Sequence, residues 1–133
     1  MTGGLHRRIG RASGDGFDLV EVPRQGVCEL HLTVRPTPGE RPAAMAARLA
    51  GHLREHGAQV VRHEVFGSLA ACAEVRASLR EEFGEVDWPV LCAEGRACNG
   101  GALAGMHVFA VAGPAVESLS LEGRVVGRMF DDG

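Results

Sequence analysis

The segment from residue 57 to residue 89 constrains the fold more than any other part of this 133-residue chain. Gly57 follows a helical pattern and suits the left-handed backbone that ends a helix. Residues 59–66 have the composition of a strand, and Ser68 is placed to cap a second helix. Another strand follows through Trp88-Pro89. This order of elements predicts a small α+β domain.

Size and charge limit the class of protein. A chain of 133 residues with 45% apolar residues predicts a single domain that is large enough to bury a core. The net charge is −3 and basic residues are spread between acidic ones, so nucleic acid is not an expected partner. Every basic residue apart from histidine is Arg, and Tyr is absent. This composition excludes lysine Schiff-base chemistry, a P-loop lysine and a tyrosine acid or base within the chain.

The cysteines and histidines show no metal-binding or redox spacing. The four cysteines match neither a zinc ribbon nor a Cys-x-x-Cys pair, and we interpret them as reduced thiols. His52 and His56 are one helical turn apart but lack a third ligand, so we assign no metal and no cofactor. No run approaches the ~18 apolar residues of a membrane span, and the N-terminus has no signal-peptide core. We expect a soluble, cytoplasmic protein without membrane partners.

Alternation and turn residues predict the remaining elements. Residues 1–16 are expected to form a flexible arm or an irregular first strand, followed by one domain over residues 17–133. The predicted elements are strands at 17–22, 27–35, 59–66, 86–94 and 106–112, helices at 42–56 and 69–83, and a C-terminal β-hairpin at 116–121 and 124–130. The hairpin would either cover a cleft as a lid or extend the sheet and enlarge a subunit contact, and its strand pattern favours the second.

Such an order places both helices on one face of a sheet and leaves the other face to be covered by something else. Strand alternation puts polar side chains on that second face. The predicted polar set is His31, Thr33, Arg35, Arg62 or His63, and His107. This face is either solvated or packed against the same face of neighbouring copies, which would create clefts between subunits.

The chain resembles the Rid family, also called YjgF or L-PSP endoribonuclease-like proteins. The resemblance runs from about residue 27 to residue 112 and includes the end of the first helix, the strand Val-Val-Arg-His-Glu-Val-Phe, Trp88-Pro89 and the strand Met-His-Val-Phe-Ala-Val-Ala. It implies a chorismate-mutase-like α+β fold, a homotrimer and three clefts at subunit interfaces. It also implies, for the best-characterised branch, hydrolysis of reactive enamine or imine intermediates to ketoacids and ammonia.

The residues that the resemblance would make catalytic are absent. In the deaminating branch an Arg two residues after the strand proline binds the substrate carboxylate, and the matching position here is Leu91, or Val90 in a shifted register. The water-positioning Glu corresponds to Phe109, and the family Cys corresponds to Ala93, with Cys92 beside it. The loss of both charged groups favours an uncharged or aromatic ligand in a rebuilt cleft.

Several other residues are candidates for a site. Arg35 and His107 are the candidate catalytic residues, because Arg35 could bind an anion and the pKa range of histidine suits proton transfer at neutral pH. The residues expected to line the cleft are His31, Thr33, Leu91, Cys92, Glu94 and Phe109. Glu64 is an alternative to Glu94 as the acidic member of the cluster. An exposed strand-end Arg35 and a water-filled trimer centre remain the simpler interpretations. Cys98 beside Arg96 could be a nucleophile, although an inert loop thiol is the simpler interpretation.

Three functions follow from these observations. The first is a diverged Rid-like homotrimer that binds a small metabolite between subunits, with hydrolysis or hydrolytic deamination as its reaction if it is an enzyme. The second is a non-catalytic binding or accessory protein of a biosynthetic pathway. Endoribonuclease activity is the third, and the acidic net charge disfavours it.

Overall fold

The computed structural model describes residues 8–98 and 100–131 of the chain. Residues 1–7, which belong to the predicted arm, lie outside the described residues. The described elements are β1 (Gly10–Gly14), β2 (Phe17–Arg24), β3 (Val27–Val34), α1 (Pro42–Glu55), β4 (Gln59–Gly67), α2 (Leu69–Phe83), β5 (Val90–Glu94), β6 (Leu103–Ala112), β7 (Val116–Leu121) and β8 (Arg124–Phe130). The predicted α+β class is confirmed.

The main sheet has six strands in the order β1-β2-β3-β6-β4-β5. All neighbouring strands are antiparallel except β4 and β5, which are parallel and are joined through α2. Parallel neighbours require a crossover of this kind. The two helices pack against each other and cover one face of the sheet. The sheet is therefore mixed, with both helices on one of its faces, as predicted.

The core lies between the helices and one face of the sheet. Side chains from β3, β6 and β4 alternate toward it, and both helices contribute the facing apolar stripe. The largest fully buried residues include Leu30, Leu32, Met45, Leu49, Leu79 and Met106. Burial of this apolar surface is the main favourable term in folding such a domain.

The helix ends follow local sequence signals. The Ser68 hydroxyl accepts a hydrogen bond from the Ala71 backbone N–H at 3.1 Å, which confirms the predicted cap of α2. Pro42 occupies the first turn of α1, and Gly57 after that helix has φ of 58°, in the left-handed region. These residues fix where each helix begins and ends and so set the positions of the strands that follow.

Several predicted boundaries differ from the structure. Of the two alternatives for residues 1–16, an arm or an irregular first strand, the second holds for Gly10–Gly14, which form β1 and pair with β2, so the sheet begins before Phe17. Strand β5 begins at Val90 instead of residue 86, after Pro89, which has no N–H to donate to a strand partner. Strand β6 begins at Leu103 and shortens the glycine-rich loop.

The C-terminal hairpin, β7 and β8, is present with the predicted limits but does not extend the main sheet. It forms a separate two-stranded sheet whose β8 contacts β4. The Arg128 guanidinium donates to the Val60 carbonyl oxygen at 2.8 Å, and the Ser118 hydroxyl donates to the Asp87 carbonyl oxygen at 2.7 Å. Because β5 pairs only with residues 63–67 of β4, the hairpin lies beside the part of β4 that β5 leaves unpaired.

Candidate functional site

The face of the main sheet opposite the helices, called the open face below, carries most of the predicted site residues. Cross-strand pairing places Asp18, Thr33, His107, Glu64 and Leu91 in one row across five strands. Directly opposite residues on one face of a sheet have Cβ atoms within about 5.5 Å of each other. Of this row, Leu91 is 51% exposed and the others are half-buried. The row therefore forms a continuous polar strip that ends in an exposed apolar side chain.

Rings from three strands cluster beside this row. The ring centroids of His31 and Phe109 are 4.9 Å apart at 23° between planes, and those of His31 and His107 are 6.2 Å apart. Phe130 of the hairpin meets Phe109 edge-on at 6.2 Å. Such offset and edge contacts are the geometries that aromatic rings prefer. The cluster places two imidazole rings and two phenyl rings side by side at the centre of the open face.

Charged groups on the open face are mostly paired. Arg62 and Glu64 form an ion pair, and Arg24 lies 3.0 Å from Glu29. Among the described residues, no carboxylate lies within 4.0 Å of the His107 ring. Within the described part of the chain, His107 therefore has no orienting acidic partner of the kind that commonly accompanies a catalytic histidine.

Arg35 lies at the end of the open face and is engaged. Its guanidinium donates to the Asp18 carboxylate, which also accepts from the Ser13 hydroxyl at 2.7 Å. The Ser13 hydrogen bond, and after it the Arg35 hydrogen bond, hold the pKa of Asp18 below its usual value. One nitrogen of the Arg35 guanidinium is therefore held by Asp18, which neutralises part of the charge that an external anion would meet. The structure thus gives the predicted anion-binding residue a structural partner.

Two of the predicted cleft residues lie on the other face. Cys92 and Glu94 alternate with Leu91 on β5 and share the side of the sheet that the helices cover. Cys92 packs against the core. Burial raises the pKa of the Cys72 thiol to about 11, and the neighbouring Cys92 thiol adds to this increase. Glu64, not Glu94, is therefore the acidic residue that stands beside His107, and the expectation for Cys92 and Glu94 is corrected.

The structure also decides between Arg62 and His63. A bulge between Val60 and Arg62 changes the alternation of β4, so that Arg62 lies on the open face and His63 is fully buried on the helix side.

His52 and His56 do not meet as ligands, because the His52 ring packs on Phe17 while the His56 Nε2 lies 3.1 Å from a Glu21 oxygen. Within residues 8–98 and 100–131, no group of three potential ligands could hold a metal ion. Cys98 is exposed in its loop.

Comparison with known proteins addresses the fold. No protein-family model matches the chain, and no curated protein matches it. Among solved structures, the chain is similar to the crystal structure of a candidate translation initiation inhibitor from Salmonella typhimurium. The similarity has a TM-score of 0.53 and 14% identity and covers 79% of this chain and 96% of that one. This chain has a Rid-type fold. At 14% identity, the likeness concerns the Rid-type architecture alone.

Sequence reasoning missed part of the site. Phe130 was predicted in the hairpin but not as a contact of Phe109, because the two residues lie far apart in the chain and only the folded structure brings them together.

No helix in the described part of the chain is long and apolar enough to cross a membrane. The open face is thus a half-polar surface with a ring cluster at its centre and an exposed Leu91 at its end.

Proposed function

We propose that this chain forms a homotrimer through the open face and binds a small, uncharged or aromatic metabolite in the clefts between subunits. The supporting observation is the ring cluster of His31, His107 and Phe109 on a face that neither described helix covers. Aromatic side chains with a few polar groups are typical of the lining of small-molecule sites, which are concave, and association of subunits would supply the concavity. The Rid-type fold supports the trimeric arrangement, since folds of this type are commonly oligomeric.

Exposed apolar side chains on the same face also support association. Phe66 on β4 is 39% exposed and Leu91 on β5 is 51% exposed. Contact with sister chains would remove this surface from water at a gain of roughly 25 cal/mol per Å². The open face also keeps its ion pairs within one chain, so that packing it against a copy would leave few charges without partners.

A binding role without catalysis is favoured over hydrolysis by two observations. Leu91 stands where the resemblance would place a carboxylate-binding arginine, and Arg35 is already paired with Asp18. The competing role, hydrolytic deamination, would add water across the carbon–nitrogen double bond of an imine and release ammonia, with His107 moving the proton. The fold likeness and the His31–His107 ring pair are what support this second role.

The assembly is tested by measuring mass in solution. Light scattering is expected to give three times the 14.0 kDa mass of one chain. Phe66→Glu is expected to shift the protein to the monomer, because it places a charge in the proposed contact. Leu69→Glu is the matched control: Leu69 is exposed, lies three residues further along the chain on α2, and does not face the proposed contact. A monomeric wild type, or equal dissociation in both variants, would contradict the proposed trimer.

Catalysis is tested with 2-aminoacrylate-type imines. We expect the wild-type protein to leave the rate of ammonia release close to the uncatalysed rate, since the carboxylate-binding arginine is replaced by Leu91. Acceleration that falls by about 100-fold in His107→Ala, within the usual range for general acid–base catalysis, would instead assign hydrolysis to the open face. Arg41→Ala, at the exposed N-terminal flank of α1 on the helix side of the sheet, serves as the control for that comparison.

A further inference from the structure

A concave site lies away from the open face. An open cleft of about 770 Å³ is lined by the second half of α2, the segment that leads into β5, and the turn of the C-terminal hairpin. None of the residues that line it belongs to β3 or β6, which carry the ring cluster. Its volume falls in the range of about 300–1,000 Å³ that small-molecule sites occupy. The cleft is formed by residues of one chain.

Positive charge is concentrated at this cleft. Arg76 and Arg80 lie one helical turn apart on α2, and Arg124 comes from the start of β8. The Arg76 guanidinium donates to the Val90 carbonyl oxygen at 2.9 Å, which fixes its position. Over the described part of the chain, no carboxylate oxygen lies within 4.0 Å of these three guanidinium groups. Apart from the Arg76 donor that binds Val90, the N–H groups of these guanidinium groups are not held by a carboxylate of the described residues and can bind an anion.

The wall between the arginines is apolar and held in place. Trp88 lines the cleft together with Val86 and Val125. The Trp88 ring meets Phe83 edge-on with centroids 5.2 Å apart, and its Nε1 donates to His63 Nδ1 at 3.4 Å. A half-buried indole that is fixed by two neighbours offers a flat surface to a ligand at little cost in side-chain entropy.

We propose that this cleft binds a small organic carboxylate with a planar apolar body. The arginine forks match a carboxylate in shape and charge, while the indole and valine side chains match the apolar body. Glu85 also lines the cleft and offsets one of the three positive charges. The proposal does not depend on the open-face site.

Trp88 supplies a direct readout of binding. It is the one Trp in a chain without Tyr, so that emission excited at the indole band reports on this cleft alone. Titration with 3-phenylpropionate is expected to change the Trp88 emission saturably. Arg80→Gln and Arg124→Gln are each expected to raise the dissociation constant by about tenfold, the usual effect of losing a hydrogen bond to a charged group. Both side chains are exposed, so that neither change should impair folding.

Three comparisons make the result decisive. Arg41→Gln removes an arginine of α1's N-terminal flank, away from the cleft, and is expected to leave binding unchanged. The neutral 3-phenylpropionamide has the same shape and is expected to bind at least about tenfold more weakly than the acid. Phe66→Glu should keep the affinity of wild type. An unsaturable emission change, equal affinity for acid and amide, or an Arg41→Gln effect as large as that of Arg80→Gln would overturn the proposal.

Discussion

Replacing Arg48 by methionine is expected to lower the free energy of unfolding by about 3 kcal/mol, because it leaves a largely buried carboxylate without its partner. The Arg48 guanidinium makes five hydrogen bonds: two to the Glu40 carboxylate and one each to the carbonyl oxygens of Asp15, Gly16 and Arg35. The Glu40 side chain is only 10% exposed. One side chain of α1 thus ties the β1–β2 turn and the end of β3 to the helix layer.

Chemical denaturation at neutral pH measures this loss. Arg41→Met is the control, because the Arg41 side chain is 83% exposed and only 4.0 Å from Glu74, so that its loss should cost under about 0.5 kcal/mol. The Arg48 hydrogen bonds, first among the causes, lower the pKa of Glu40 below 4.5. The interaction that lowers this pKa contributes fully to the free energy of unfolding above pH 4.5, and the contribution is lost as pH falls through the folded-state pKa. The difference between wild type and Arg48→Met should therefore narrow in acid. Equal losses in the two variants would contradict the role given to Arg48.

Local signals in the sequence were sufficient for most of the fold. A serine before a helical pattern predicts a cap, and Ser68 is that cap. Glu122-Gly123 predicts a two-residue hairpin turn, and these residues have φ of 50° and 77°, as a turn of this type requires. Each of these features depends on the backbone preferences of a few neighbouring residues. They are therefore readable without knowledge of the tertiary structure.

The parts that were left open or misplaced depend on distant contacts. Strand β1 is glycine-containing and exposed, and it is a strand because β2 pairs with it. The bulge in β4 reverses which of Arg62 and His63 faces the core, and alternation alone allowed either result. The face of Cys92 and Glu94 likewise follows from the register between β5 and β4. The Arg48 contacts join residues up to 33 positions apart and have no local signal.

The candidate site was predictable in its members but not in its geometry. His31, Thr33, His107 and Phe109 were identified from strand alternation and from the resemblance, and they do lie on one face. The same alternation could not show that Arg35 is paired with Asp18 or that a cleft with three arginines forms around Trp88. Both depend on how the hairpin, α2 and the strand ends are placed in three dimensions. Electrostatic partners of this kind are decided by tertiary packing.

The buried His63 is expected to make the protein less stable as pH falls from about 6.5 to about 4. Its ring is fully buried between Trp88, whose Nε1 donates to Nδ1, and Met106, whose sulfur lies 3.4 Å from Nε2. Because an indole N–H can only donate, Nδ1 must accept and the ring must be neutral with its proton on Nε2. A second proton on Nδ1 would face the indole N–H. Burial, and after it the charge of His107, lowers the pKa of His63 to about 4.

The sign and size of this effect follow from proton linkage. Between pH 6.5 and pH 4 the unfolded chain binds a proton at this position and the folded chain does not, so that stability is full above pH 6.5 and is lost on acidification. The loss is about 3 kcal/mol, at 1.36 kcal/mol for each pH unit.

Comparison with His63→Asn cancels the contributions of all other titrating groups to the pH dependence of stability. The Asn amide oxygen can still accept the hydrogen bond from Trp88. Denaturation curves at pH 7 and pH 4 should show wild type losing about 3 kcal/mol more than the variant. Identical pH dependence in the two proteins, or an imidazole ring signal of His63 that titrates near pH 6.5 in the folded state, would show that this histidine accepts a proton without cost.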